Sequence, residues 1–138
     1  MREIVFMLTV ISAALLSLTA FGRPLTIERG RDLSVSYPES SRPVLATAID
    51  MLGNDLKKVF GNDITVSDHR ADITIDIDPA SVQEEQGFRM VFDKDGSLVI
   101  TSHDSYGAAY GIIELSRLIG VSPWEWWADT KPLKKRKI

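Results

Sequence analysis

Three groups of residues in this 138-residue chain are of types that do chemistry: paired carboxylates, two histidines and a cluster of tryptophans. Paired carboxylates cleave glycosidic bonds when one is held protonated and the other ionised. Asp76 and Asp78 flank Ile77 in "ADITIDID", on the face opposite Ile73, Ile75 and Ile77. That alternation is the pattern of an amphipathic strand whose acids face water. Asp93 and Asp95 stand beside Gly96, and turn formation accounts for both. Glu84 and Glu85 lie in a polar run, "PASVQEEQG", with nothing nearby in sequence to position them. None of these pairs has a neighbour that would hold a tuned pKa.

His69 and His103 are the only histidines, and no metal-ligand spacing joins them to acids. His103-Asp104-Ser105 contains the residue types of a hydrolytic triad. Triad members relay through space, however, and adjacent residues cannot reach one another in that geometry. The tripeptide reads instead as the end of a strand and a helix cap. No glycine loop for phosphate is present. There is no cysteine, so disulfides, thiol chemistry and a lipid-modified cysteine are excluded. The residues thus nominate no catalytic side chain, no metal ligand and no cofactor site.

The tryptophans are the remaining signal. All three, Trp124, Trp126 and Trp127, fall in "GVSPWEWWAD". In extended chain Trp124 and Trp126 share a face and Trp127 takes the other. One reading is a strip packed between two bodies, since aromatic side chains dominate cores and interfaces. The other is a platform that stacks on sugar rings, with Tyr106 or Tyr110 assisting.

The elements that must position these residues follow from hydrophobic period. "LSVSY" alternates Leu33, Val35 and Tyr37 as a half-buried strand. "PESSRP" breaks it, Ser40 or Ser41 can cap a helix, and Pro43 fits its first turn. Leu45, Ala48, Ile49, Leu52, Leu56, Val59 and Phe60 then recur at helical spacing until Gly61. "DITVS" and "ADITIDID" read as strands, and "GFRMVFDKDGSLVITS" as a hairpin turning at Asp93–Gly96. A second helix is expected from Asp104 or Ser105 to Leu118, with Gly120 past its end. Gly107 and Gly111 lie on one of its faces, where they allow close approach to a sheet. The fold class is α+β: a mostly antiparallel or mixed sheet of about five strands with two helices on one face.

Composition is that of a globular domain, 44% hydrophobic and 25% charged, with net charge −3. The basic residues Lys131, Lys134, Lys135, Arg136 and Lys137 cluster in the final "KPLKKRKI", which leaves the body acidic. An acidic body is unsuited to nucleic acid, which requires a basic face. Residues 1–22, "MREIVFMLTVISAALLSLTAFG", have a basic start, an apolar middle and small residues near the end, the pattern of a cleaved export signal. The apolar run is short for a membrane span, so the expectation is an exported protein without a membrane anchor after cleavage. The expected organisation is a signal at 1–22, an α+β domain at 23–130 and a basic exit linker at 131–138.

The stretch "SYGAAYGIIELSRLIG", residues 105–120, resembles the last helix of the small α+β domain that precedes the barrel in hexosaminidase-type and glucuronidase-type glycoside hydrolases. "IGVSPWEWWAD", residues 119–129, and the following "KPLKK" are similar to the exit segment of the first domain in glycoside hydrolase family 115, the xylan α-glucuronidases. The resemblance implies a non-catalytic N-terminal domain that braces a (β/α)-barrel. That barrel, which carries the catalytic carboxylates, would be its partner. Trp124, Trp126, Trp127 and Tyr110 are then candidates for the interdomain seam, or for contact with polysaccharide. No catalytic residue of the family maps onto this chain.

Overall fold

The computed structural model describes residues 24–122 and 131–138. The segment expected to be an export signal, residues 1–22, and all three tryptophans lie outside the described residues. Strand β1 is Leu33–Ser36, with Leu33 and Val35 buried. A 3-10 turn at Glu39–Ser41 leads into helix α1, Arg42–Phe60, which has Pro43 in its first turn. Ser41 stands at the N-cap but does not cap through its side chain. Its hydroxyl instead accepts from Ser105 Oγ at 2.8 Å, tying together the starts of both helices. Gly61 ends α1 with φ 78°, donating its N–H to the Leu56 and Lys57 carbonyls.

Strands β2 (Ile64–Val66) and β3 (Ile73–Ile77) follow, then the β4 (Phe88–Phe92) and β5 (Leu98–Ser102) hairpin and helix α2 (Ser105–Ile119). All seven elements were expected from hydrophobic period and turn chemistry, and the class is α+β as expected. The sheet order is β2-β1-β3-β5-β4. It is mixed: β1 pairs parallel with β2 and β3, β3 pairs parallel with β5, and only β4 and β5 are antiparallel. The lean toward parallel pairing has a plain cause. Helix α1 carries the chain back along the sheet before β2 begins, and such a crossover yields a parallel neighbour. Likewise β4 makes the return run between β3 and β5, so those two point the same way.

Both helices cover one face. Leu33, Val35, Ile73, Ile75, Leu98 and Ile100 meet the inner sides of α1 and α2 in a single core. The opposite face presents Ser34, Thr74, Asp76 and Thr101 together with the cross-strand pair Val91 and Val99. Gly111 explains how closely α2 approaches the sheet: a methyl there would stand 2.7 Å from Ile100 Cγ2 and 3.3 Å from Phe88 Cδ2. Gly107 faces something else, the backbone of Gln86 and Gly87 in the loop before β4.

The ends of the described chain are joined. Ile27 and Ile138 exchange both backbone hydrogen bonds at 3.0 Å, and the Arg29 N–H donates to the Arg136 carbonyl at 2.8 Å. The Lys135 N–H donates to the Val59 carbonyl near the end of α1. Lys137 pairs with Glu28 at 2.8 Å. Buried Asn62 fixes the same corner, accepting from the Gly30 N–H at 2.8 Å and donating to the Glu28 carbonyl at 2.7 Å. The basic side chains therefore project from a segment whose backbone is paired with the body.

Candidate functional site

The carboxylates singled out by spacing do not converge. Asp76 is exposed on the open face of β3. The strand ends at Ile77, so Asp78 is not its face partner but a turn residue. It accepts from the Ala80 N–H at 3.1 Å, the Ser81 N–H at 3.3 Å and the Ser81 hydroxyl at 2.7 Å. The Ser81 hydroxyl and backbone hold its carboxyl below the usual range. Asp93 and Gly96 close the β4–β5 turn, the Gly96 N–H donating to the Asp93 carbonyl at 3.0 Å. Asp95 instead forms an ion pair with Arg70. Glu84 takes part through its backbone, its carbonyl accepting from the Gly87 N–H.

Asp104 joins two separate segments. Its Oδ1 accepts from the Gly107 N–H at 2.8 Å, which caps α2, and its Oδ2 accepts from the Gln86 N–H at 3.0 Å. The two amides hold the carboxyl ionised and below its ordinary pKa. Sequence predicted the cap. The grip on Gln86, eighteen residues earlier in the chain, carries no local signal. Gln86 itself sits at φ 58°, a left-handed conformation uncommon for a residue with a side chain. His103 belongs to the same bracket: its Nδ1 lies 2.8 Å from the Val82 carbonyl and its N–H donates to the Gly87 carbonyl. His103 and Asp104 thus fasten the 79–87 loop to the start of α2. Among the described residues no group of three or more histidine, aspartate or glutamate side chains is placed to hold a metal.

Two concave surfaces stand out among the described residues. A polar cleft of about 440 Å³ lies by the amino ends of β3 and β5. Its charges are matched: Arg31 with Asp72 at 2.8 Å, and Arg70 with Asp95. Asp72 also accepts from the Ser34 N–H at 2.9 Å and the Ser34 hydroxyl at 3.0 Å, which ties β1 to β3. Ligands in open α/β sheets bind outside the carboxyl ends of the strands, so this cleft is at the wrong end for that rule. The second surface is an apolar groove of about 650 Å³ between α1 and α2, walled by Ala48, Met51, Ile112 and Ile113. Tyr110 stands beside it on the outer side of α2 and is exposed, as is Tyr106. Met51 and Ile113 fall outside the apolar positions that the helical period marks as core. The period could not show that the two would line one groove.

This fold has counterparts of known structure. One is a family GH115 4-O-methyl-α-glucuronidase with specificity for decorated arabinogalactans, 34% identical with a TM-score of 0.76. The match covers 83% of this chain and 17% of that one. The Streptomyces plicatus N-acetyl-β-hexosaminidase shares the fold at 22% identity and a TM-score of 0.55, over 72% of this chain and 19% of its own. The GH20 β-N-acetylhexosaminidase of Streptomyces coelicolor does so at 19% identity and a TM-score of 0.53, over 85% and 23%. No protein-family model and no curated protein matches the sequence. The chain is therefore a glycoside hydrolase-related domain, and it spans less than a quarter of each of these enzymes.

Proposed function

We propose that this chain is the non-catalytic N-terminal domain of an exported, family 115-like glycoside hydrolase, and that it braces the catalytic barrel of an enzyme acting on glucuronic-acid-decorated polysaccharide such as glucuronoxylan. The observation that carries the reading is the likeness to the GH115 glucuronidase, at 34% identity over 83% of this chain and only 17% of that one. Two features support a bracing role. Asp78 and Asp104 are committed to holding backbone in place. Met51 on α1 and Tyr106, Tyr110, Ile113 and Leu118 on α2 are large apolar or aromatic side chains left exposed on the helices.

The test is direct. The purified chain is incubated with glucuronoxylan and with decorated arabinogalactan, and released uronic acid is measured. No release is expected from the chain alone. Steady turnover that survives repeated purification would sink the reading. A second reading, a polysaccharide-binding module, draws on the exposure of Tyr106 and Tyr110 on successive turns of α2. Saturable quenching of intrinsic fluorescence by xylan oligosaccharides, lost in Tyr110→Ala, would favour it over bracing.

A further inference from the structure

The two edges of the sheet are built differently. At one edge β2 is 3 residues long, a short template for any further strand. At the other, β4 runs 5 residues, "FRMVF", in unbroken register with β5 and without proline, lysine or bulge. Those are the devices that keep an edge from pairing. The hairpin register fixes which way the backbone of β4 points. The Asp93 N–H donates to the Ser97 carbonyl, and the His103 N–H donates to the Gly87 carbonyl. Bonding alternates along an antiparallel pair, so Arg89 and Val91 also bond inward to β5. The N–H and C=O groups of Phe88, Met90 and Phe92 therefore point out from the sheet. The far side of β5 agrees with this register: the Leu98 N–H donates to the Asp72 carbonyl and the Ser102 carbonyl accepts from the Asp78 N–H, both toward β3. Among the described residues no backbone group outside the sheet meets the outward groups of β4. Apolar surface flanks them on both sides. Val91 is 50% exposed on the open face and Phe92 44% exposed on the helix side.

We infer that β4 is where a second copy of this chain pairs, edge to edge and antiparallel, about a twofold axis at Met90. The occupant follows from the register. That axis sets Met90 against Met90 and Phe88 against Phe92 of the second copy, and these are the residues whose backbone groups point outward. Each such pair exchanges two hydrogen bonds. On the helix side the row of Leu98 and Phe92 continues onto Phe88 of the second copy, which covers the exposed ring. On the open face Arg89 falls opposite Val91, so the single charge of each strand does not meet its like. Centring the axis on Phe88 or Phe92 runs one strand past the end of the other and keeps fewer pairs. A strand pair of this length is smaller than a standard interface, so the dimer is weak and its fraction rises with concentration. The pairing is independent of the function proposed above.

The test is sedimentation velocity on the whole chain over a range of concentrations, with amide hydrogen exchange on the same samples. A monomer–dimer equilibrium is expected. In dilute solution exchange is fast at Phe88, Met90 and Phe92 and slow at Arg89 and Val91. The three outward amides slow by about tenfold once about nine-tenths of the chain is paired, while Arg89 and Val91 change little. Met90→Pro removes an outward N–H and no bond to β5, and it raises the concentration needed for pairing by about tenfold or more. Phe92→Lys acts in the same direction by setting a charge against Phe88. Val66→Lys, on the β2 edge, leaves the equilibrium unchanged. Thermal melting of each variant confirms folding, and the exchange pattern of the unmutated chain stands without them. A chain that stays monomeric throughout overturns the inference. So does a dimer that survives both β4 variants, and so does a dimer that leaves exchange at the three outward amides unchanged.

Discussion

Asp104 shows how much a single carboxylate organises here. It terminates α2 and grips the loop at Gln86 with the same side chain. Asp104→Ala is expected to lower unfolding free energy by about 1–2 kcal/mol, the usual scale for a lost N-cap, read from urea titration. Two glycine substitutions should separate by context. Gly111→Ala places its methyl 2.7 Å from Ile100, which is fully buried and cannot retreat. A destabilisation of about 1–3 kcal/mol is expected despite the better helix propensity of alanine. Gly53→Ala meets Ile64 Cγ2 at 2.8 Å, but Ile64 lies on the edge strand β2 and is only half-buried. There the gain of about 1 kcal/mol in propensity offsets the displacement, and a near-neutral effect is expected in the same titration.

At the scale of elements, strand and helix positions were legible because burial imposes periods of two and of helical spacing that survive in residue order. Leu33 and Val35, or Ile112, Leu115 and Ile119, are buried where those periods place them. The pairing of strands was less legible. A period of two marks which residues face the core but not which strand lies alongside, and the three parallel pairings depend on where α1 and β4 carry the chain. Of the residues nominated for contact, only one is described. Tyr110 is exposed on α2, whereas Trp124, Trp126 and Trp127 lie outside the described residues. Helical spacing leaves Met51 and Ile113 off the core faces, but that they share one groove depends on how α1 and α2 pack. The joined ends had no local signal, because Ile27 and Ile138 are partners across almost the whole sequence. Removing residues 135–138 should strip the Glu28 and Val59 partners together. The expected result is a lower melting temperature and faster amide exchange at Ile27 and Arg29, measured by NMR.

For the molecule as a whole, pH acts chiefly through carboxylates that are more acidic when folded. Asp104, Asp78 and Glu114 are all held below their ordinary values, the first two by backbone and hydroxyl donors and the third by Arg117. A depressed folded-state pKa means that the stabilisation is complete above the unfolded value. It fades as pH falls through the folded one, so loss is expected below about pH 4. Melting temperature followed from neutral to acid should be flat and then fall, and Asp104→Asn should soften that fall. The rung between Ile27 and Ile138 has a mechanical consequence as well. Because the two segments run antiparallel and the pair closes at that rung, tension applied through Pro24 and Ile138 opens the hydrogen bonds one after another, as a zip, instead of shearing them all at once. The domain yields first at that corner, leaving the sheet and its helices intact while the Asn62 bracket takes up the strain.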